Sequence, residues 1–376
     1  MKWSRIKIDQ ACLPTQMRDP RKNPNKSFMY VDISSIERGL KVIISTPEIL
    51  GAEAPSRARK EIREGDILVS TVRPNLNTVA LVPSELDGQI ASTGFCVLRP
   101  KQTAIERKYL FYYTTTPDFI SILTNKVRGA HYPAVSDGDV KEIELPLPPI
   151  SEQRRIVEIL DQADRLRKLR ADANVKTNRI LPALFIKMFG DPATNPKRLK
   201  KKRLGNLIKV KSGNFLPAKD MDTKGQYPVY GGNGINGFHS KYMFKESVIV
   251  LGRVGIYCGV VHYTEPNSWV TDNALYVAEH SDKLHNRYLA EALRMADLNR
   301  YAGRAGQPLI SGSRIYPVEI LVPPVSDQER FAVETYKIFE AQKNQNSSSA
   351  CLEKLFFVLL HSAFSGKLTE SWRKLT

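Results

Sequence analysis

Two stretches of the chain carry apolar residues at helical spacing for longer than one globular helix needs. The first runs through Ile156, Ile159, Leu160, Ala163, Leu166, Leu169 and Ala173, then Ile180, Leu181, Leu184, Phe185 and Met188. The second comprises Phe331, Ile338, Leu352, Leu355, Phe356, Leu359, Leu360 and Ala363. Residues three and four apart share a helix face, so each series is one apolar stripe. A helix of about 38 residues is roughly 57 Å long, and antiparallel pairing is the natural way to bury both stripes. Pro182 should kink the first helix. Asn344-Gln345-Asn346-Ser347-Ser348-Ser349 is a poor helix stretch, at which the second is expected to fray or loop.

The segments before each helix hold short strand signals instead. Examples are Asp66-Ile67-Leu68-Val69-Ser70, Gly94-Phe95-Cys96-Val97-Leu98, Val248-Ile249-Val250-Leu251 and Ala274-Leu275-Tyr276-Val277. Each segment also has one helix-like stretch, around 109–123 and 287–297.

The two halves are related by an internal repeat. Leu145-Pro146-Leu147-Pro148-Pro149-Ile150-Ser151-Glu152-Gln153-Arg154 recurs 175 residues later as Ile320-Leu321-Val322-Pro323-Pro324-Val325-Ser326-Asp327-Gln328-Glu329. The register extends from Pro133 and Pro308 to Phe189 and Phe364. One inserted residue would rotate a helix face by about 100°, so an unbroken register marks regular structure. Ser151 and Ser326 stand where helix N-caps belong, and Ser326 with Glu329 would complete a capping box.

These patterns divide the chain into a strand-rich domain at 1–145, a long helix at 146–189, a second strand-rich domain at 190–321 and a second long helix at 322–376. The fold class is α+β: two globular α/β domains in a pseudo-two-fold arrangement, joined by two long antiparallel helices of coiled-coil type. The two domains share element order but little sequence outside their last thirty or so residues, which suits one scaffold presenting two different surfaces.

Composition adds a partner. Of 376 residues, 56 are Lys or Arg and 39 Asp or Glu, a net charge of +17. So basic a balance points to a polyanion, nucleic acid first; a merely basic protein is the plain alternative. The excess is spread along the chain rather than confined to a tail. Its densest run, Lys197, Arg198, Lys200, Lys201, Lys202 and Arg203, fits either a phosphate-binding surface or a solvated linker. Cys12, Cys96, Cys258 and Cys351 lie far apart, without disulfide or zinc spacing. The start lacks the apolar core of a signal peptide, and no apolar run is of membrane-spanning length, so a cytoplasmic protein without a membrane partner is expected.

Pro148-Pro149-Ile150-Ser151-Glu152-Gln153, with the helix ending in Lys187-Met188-Phe189-Gly190-Asp191-Pro192, resembles the first conserved region of Type I restriction–modification specificity subunits. The segment from Pro323-Pro324 to Ala363-Phe364-Ser365-Gly366-Lys367-Leu368 resembles the second. Ser92-Thr93-Gly94-Phe95, Val97-Leu98-Arg99-Pro100 and Tyr227-Pro228-Val229-Tyr230-Gly231-Gly232-Asn233-Gly234-Ile235 are similar to the family's variable domains. The resemblance covers essentially the whole chain. It implies a DNA-binding, non-enzymatic specificity subunit whose two target-recognition domains each read half of a bipartite, asymmetric double-stranded site. It also implies a heteromultimer, with two adenine methyltransferase subunits docked on the long helices and two restriction (motor) subunits in the full complex. S-adenosylmethionine, ATP and Mg would then be cofactors of the partners, and this chain would carry no cofactor and no metal.

The residues agree with a non-catalytic chain. Leu147 and Val322 precede the Pro-Pro pairs, so neither pair forms the Asn-Pro-Pro-Tyr or Asp-Pro-Pro-Tyr motif of adenine methyltransferases. There is no Walker A loop and no clustered set of nuclease carboxylates, and the six histidines are scattered. Gly232-Asn233-Gly234-Ile235-Asn236-Gly237 satisfies a dinucleotide-binding spacing, but no helix opens after it, so a tight turn is expected. Candidate DNA contacts are loop residues able to donate to bases and phosphates. In the first domain they are Arg73, Asn75, Asn77, Lys126, Arg128, His131 and Tyr132. In the second they are Asn233, Asn236, Arg253, Tyr257, Arg300, Arg304 and Gln307. Two other functions compete: the recognition subunit of a related two-subunit restriction–methylation system, and a basic nucleic-acid-binding scaffold without sequence choice.

Overall fold

The computed structural model describes residues 3–129, 133–222, 224–303 and 307–374. His131, Tyr132 and Arg304 lie outside them. Five helices and four strands carry the description: β1 (Ile67–Ser70), β2 (Phe95–Pro100), α1 (Arg107–Thr114), α2 (Ile150–Asn178), α3 (Ile180–Phe189), β3 (Ile249–Gly252), β4 (Ala274–His280), α4 (Asn286–Met295) and α5 (Val325–Phe364).

The chain forms two compact units, residues 1–171 with 348–376, and residues 172–347. Each long helix therefore gives one half to each unit. Within each unit the two halves run antiparallel. In the first, Glu152 meets Thr369 and Arg167 meets Glu353; in the second, Asn178 meets Gln342 and Phe189 meets Phe331.

Both units use the same sheet order. In the first, β2 pairs antiparallel with Cys12–Leu13 and with β1, and β1 with Val79–Leu81. In the second, β4 pairs antiparallel with Ile208–Ser212 and with β3, and β3 with Val261–Tyr263. β1 and β3 are central and buried along their whole length, which is why both read as unbroken apolar runs. Each unit has a further sheet containing one parallel pair, Tyr30 beside Ile90 in the first and Tyr230 beside Val270 in the second.

Several local expectations change. Both long helices begin one residue before the serines, at Ile150 and Val325, so Ser151 and Ser326 lie in the first turn rather than at the cap. Their starts are fixed by buried glutamines. Gln153 Nε2 donates to the Pro148 carbonyl at 2.8 Å while its Oε1 accepts from the Glu106 N–H at 2.8 Å. Gln328 Nε2 donates to the carbonyls of Pro323 (2.8 Å) and Lys283 (2.9 Å), and its Oε1 accepts from the His285 N–H at 2.8 Å. The expected kink is present: the first helix breaks at Arg179, three residues ahead of Pro182, which has no N–H to return to Asn178. The weak stretch at 344–349 does not loop out; α5 is continuous for 40 residues. Packing at both ends explains this, since Phe331 lies in the second unit's core and Phe356, Leu360 and Ala363 in the first's. Tertiary burial overrides low intrinsic propensity between them.

The backbone of the basic run after the helix, and the side chain of Lys197, have structural partners. Lys197 Nζ donates to the carbonyls of Lys187 (3.0 Å) and Met188 (2.7 Å), capping the end of α3. Lys201–Arg203 pairs as a strand with Glu319–Leu321.

An aromatic clamp recurs as well. Tyr109 donates to the Pro146 carbonyl at 2.8 Å and packs on Phe364, ring centroids 5.0 Å apart. Tyr288 donates to the Leu321 carbonyl at 2.8 Å and packs on Phe189 at 4.9 Å. At the start of its long helix the first unit adds a buried carboxylate: Glu152 accepts from Trp3 Nε1 (3.2 Å), Thr369 Oγ1 (2.6 Å) and Arg373 Nε (2.6 Å). Its counterpart Asp327 is only half-buried and pairs with Arg330.

Replacing Gln328 with Met keeps side-chain volume but leaves two carbonyls and one N–H without their partner. At about 1–3 kcal/mol per buried unsatisfied group, the second unit should lose at least about 2 kcal/mol. Hydrogen exchange should show faster opening of amides in 172–347, with β1 and β2 still protected; equal loss in both units would contradict this account.

Candidate nucleic-acid interface

The end of each central strand runs into a rigid turn that is pinned to a second loop. After β1, the Val135 N–H donates to the Thr71 carbonyl at 2.9 Å and the Arg73 N–H to the Pro133 carbonyl at 2.8 Å. After β3, the Ile310 N–H donates to the Arg253 carbonyl at 2.9 Å and the Gly255 N–H to the Pro308 carbonyl at 2.9 Å. Isolated bridges repeat the pattern, Val72 with Ala134 and Val254 with Leu309. Each turn contains a 3₁₀ segment, Pro74–Leu76 in the first and Gly255–Tyr257 in the second, and each has two left-handed residues: Arg73 (φ 49°) and Asn77 (φ 44°), which flank the segment, and Gly255 (φ 77°), which opens it, with Gly259 (φ 86°) beyond its end.

The correspondence has an offset of 182, not 175. It places Arg73 with Gly255, Asn75 with Tyr257 and Asn77 with Gly259. The sequence reading missed it because the repeat was registered on the helices, and seven residues of loop difference intervene upstream. The one available signal is the matched valines at each end, Val72 with Val254 and Val79 with Val261.

In the first unit, Arg73 and Asn75 are exposed on the turn. Asn77 is turned inward, its amide donating to the Thr114 carbonyl at 3.4 Å, while its own carbonyl accepts from the Lys41 ammonium. Lys126 is half-buried and donates to the Asp139 carbonyl at 3.4 Å. Arg128 is 77% exposed beside Asp139, at 3.3 Å. Arg128 also bridges Ala134, which puts it on the loop that pins the turn. The structure thus brings Arg73, Asn75 and Arg128 to one loop pair and gives Asn77 and Lys126 intramolecular partners.

In the second unit, Asn233 and Asn236 belong to the hairpin of Tyr227–Gly231 and Gly234–His239, and both are exposed. Gly232 and Asn233 are its two-residue turn, with Gly234 at φ 94°, and no helix opens at Gly237. The glycine motif is therefore a tight turn, without the strand–turn–helix frame of a nucleotide site. Arg253 is half-buried and donates to Ser212 Oγ (3.0 Å) and to the Asp272 carbonyl (3.3 Å), which binds the turn to neighbouring strands. Tyr257 and Gln307 are exposed at the turn and its pinning loop. Arg300 is exposed, pairs with Asp297 at 3.4 Å and lies over the Tyr301 ring.

Lys41, which the sequence reading did not single out, is the least ordinary charge near the first turn. Burial lowers its pKa to about 8, with the Arg167 charge acting in the same direction. Arg167 on α2 donates to the Gly39 carbonyl at 3.2 Å and pairs with Glu353 on α5 at 2.9 Å. The turn is thereby tied to both helices through one short segment. A cavity of about 600 Å³ opens beside it, lined by Leu40, Lys41, Phe111, Arg167, Phe356 and Leu360 among others. Among the described residues, no group of three or more His, Cys, Asp or Glu is placed to hold a metal ion, and no helix is long and apolar enough to cross a membrane.

The arrangement is a duplicated module: a similarly pinned turn follows each central strand and carries different exposed side chains. A family model for the Type I restriction modification DNA specificity domain matches the chain twice, over residues 21–176 and 196–346. The chain belongs to that family. The Type I restriction enzyme HindI specificity subunit of Haemophilus influenzae is 25% identical over 203 residues, 53% of this chain and 40% of that one. The EcoKI specificity subunit of Escherichia coli K12 is 21% identical over 323 residues, 74% of this chain and 69% of that one. The chain spans about two fifths of the length of several of the curated relatives it matches. Among solved structures, a chain from work on complex assembly and conformational transition of the type I R-M system is 30% identical, with 98% of both chains covered and a TM-score of 0.58. The Type I S subunit of M. genitalium, 14% identical with 97% and 96% covered, shares the fold at a TM-score of 0.63.

Because burial lowers the Lys41 pKa in the folded chain, its stabilising contribution is fully present above the ordinary value of 10.5 and is lost as pH falls through about 8. Reductively methylated Lys41 should titrate near pH 8 by NMR, and Lys41→Met should flatten the rise in stability between pH 8 and 10. Titration at the value of a surface lysine would refute the assignment.

Proposed function

We propose that the chain is the sequence-reading subunit of a Type I restriction–modification complex. Each unit reads one half of a bipartite, asymmetric double-stranded DNA site, using the turn after its central strand and the loop pinned to it. The carrying observation is the pair of turns pinned by matching bridges after each central strand and bearing different exposed side chains, Arg73 and Asn75 in one unit and Ile256 and Tyr257 in the other. The shared pinning puts a reading turn at the same end of each central strand, and different side chains on those turns make the two half-sites differ. Arg73 suits bidentate donation to guanine O6 and N7, and Asn75 suits adenine N6 and N7. Arg128, Arg300, Asn233 and Asn236 supply phosphate and base contacts around them.

The chain itself performs no chemistry in this reading. Methyl transfer from S-adenosylmethionine to adenine belongs to two modification subunits seated on the long helices, and ATP- and Mg-dependent motor and cleavage activity to two restriction subunits. The family membership and the relatives named as specificity subunits support this division of labour.

The direct test is a methylation map. Co-expression with the methyltransferase subunit of its own system, in a host lacking other systems, should produce N6-methyladenine at one bipartite motif with a fixed unspecified spacer. The motif should vanish when this chain is omitted. Methylation without a motif, or a motif that persists without the chain, would favour a scaffold that binds nucleic acid without sequence choice. Arg73→Ala should weaken binding at a single base pair of one half-site by about 1–3 kcal/mol, leaving the other half-site unchanged. Equal weakening at every sequence would instead make Arg73 a phosphate contact.

A further inference from the structure

Ile256 is 82% exposed at the tip of the second unit's turn, and Tyr257 beside it is 41% exposed. Single exposed apolar residues are common on protein surfaces, but this one is held rather than left loose. The Cys258 N–H donates to the Gly255 carbonyl at 3.0 Å, and the Gly259 N–H to the Gly252 carbonyl at 2.8 Å. Asn299 Nδ2 donates to the Cys258 carbonyl at 2.8 Å. A Cβ on Gly259 would fall 2.4 Å from the Asn299 nitrogen, so the turn is closed against the following 3₁₀ segment. Nor does the turn geometry itself require an exposed apolar tip: the equivalent residue in the first unit, Pro74, is buried.

We propose that Ile256 is a specificity-determining residue that packs on the 5-methyl group of a thymine in the half-site read by the second unit. This rests on the DNA-reading function proposed above. The thymine methyl is the one apolar group that base pairs present in the major groove, and it is what a rigid aliphatic tip can read there. Gly255 removes the donor that Arg73 provides in the first unit. Gln307 lies next to the turn, its Nε2 3.4 Å from where a Gly255 Cβ would stand, close enough to serve the adenine edge of the same A·T pair. The two units then read by opposite chemistry from one frame: hydrogen bonds from Arg73 and Asn75, methyl packing from Ile256.

The test uses the full chain in complex with its methyltransferase subunit, and duplexes carrying the mapped motif with each thymine in turn replaced by deoxyuridine. One thymine position in the second unit's half-site should weaken binding roughly fourfold when its methyl is removed. Ile256→Ala should weaken binding to the unmodified site by a similar factor and abolish the deoxyuridine effect at that position alone. Absence of any sensitive thymine overturns the proposal, and the wild-type series decides this without a variant. So does an Ile256→Ala variant that keeps the full deoxyuridine penalty, or one that loses affinity with no thymine dependence, as a wedge between base steps would. If the wild-type complex yields no motif at all, the DNA-reading function itself fails; if it yields a motif without this coupling, only the role of Ile256 does.

Discussion

The architecture of each unit depends on a glutamine buried under a Pro-Pro step. The last strand ends at the Pro-Pro step, and where the chain turns into a long helix the carbonyls of Pro148 and Pro323 take a side-chain donor. Gln153 and Gln328 supply that donor and at the same time accept an N–H from the segment that opens α1 or α4. One side chain thus fixes the strand end, the start of the long helix and the short helix of the domain. Tyr109 and Tyr288 close the junction by donating to the neighbouring strand carbonyl and by packing on Phe364 and Phe189, the last residues of the returning helix halves. Phe364 reaches the first unit from the far end of α5, so that unit is completed by two separate stretches of chain, whereas Phe189 belongs to the continuous stretch 172–347 that forms the second.

That junction sets the sheet, and the sheet sets the turns. β1 and β3 lie in the middle of their sheets with both faces buried, so their ends cannot drift, and the turn that follows inherits a fixed exit. The two units then solve the same backbone problem differently. The second places glycine at both left-handed positions, where the conformation costs little. The first places Arg73 and Asn77 there, at a cost of order 1 kcal/mol for a residue with a Cβ. Its compensation is visible: Asn77 is held by Thr114 and Lys41, and Lys41 sits in the segment that Arg167 ties to the helices.

A scaffold of this kind separates two demands. The duplicated residues are the ones that hold each frame together: the Pro-Pro steps, Gln153 and Gln328, and Phe189 and Phe364. The residues that differ lie on the turns and hairpins, where a substitution changes what is presented without loosening the junction. Glu152 is the exception, since it locks Trp3, Thr369 and Arg373 into the first unit alone and has no buried counterpart in the second.

Much of this was legible in the sequence because it is local or periodic. The apolar stripes, the break near Pro182, the central strands at 67–70 and 249–252, and the duplication at 175 residues all follow from spacing and residue type. So does the family resemblance, which rests on the same repeated residues. What the sequence could not decide depends on contacts between segments far apart in the chain. The stretch at 344–349 stays helical because both ends of α5 are anchored in cores, a cooperative effect that propensity does not contain. Lys197 became a helix cap, and Gln153 rather than Ser151 secured a helix start, because their partners lie where only packing puts them. The equivalence of Arg73 with Gly255 was hidden by a register change of seven residues, while hydrogen bonds to Pro133 and Pro308 restore it in space. Periodicity reports which face of an element is buried; which side chains then meet on the outer surface is settled only when the sheets, loops and helix halves close on one another.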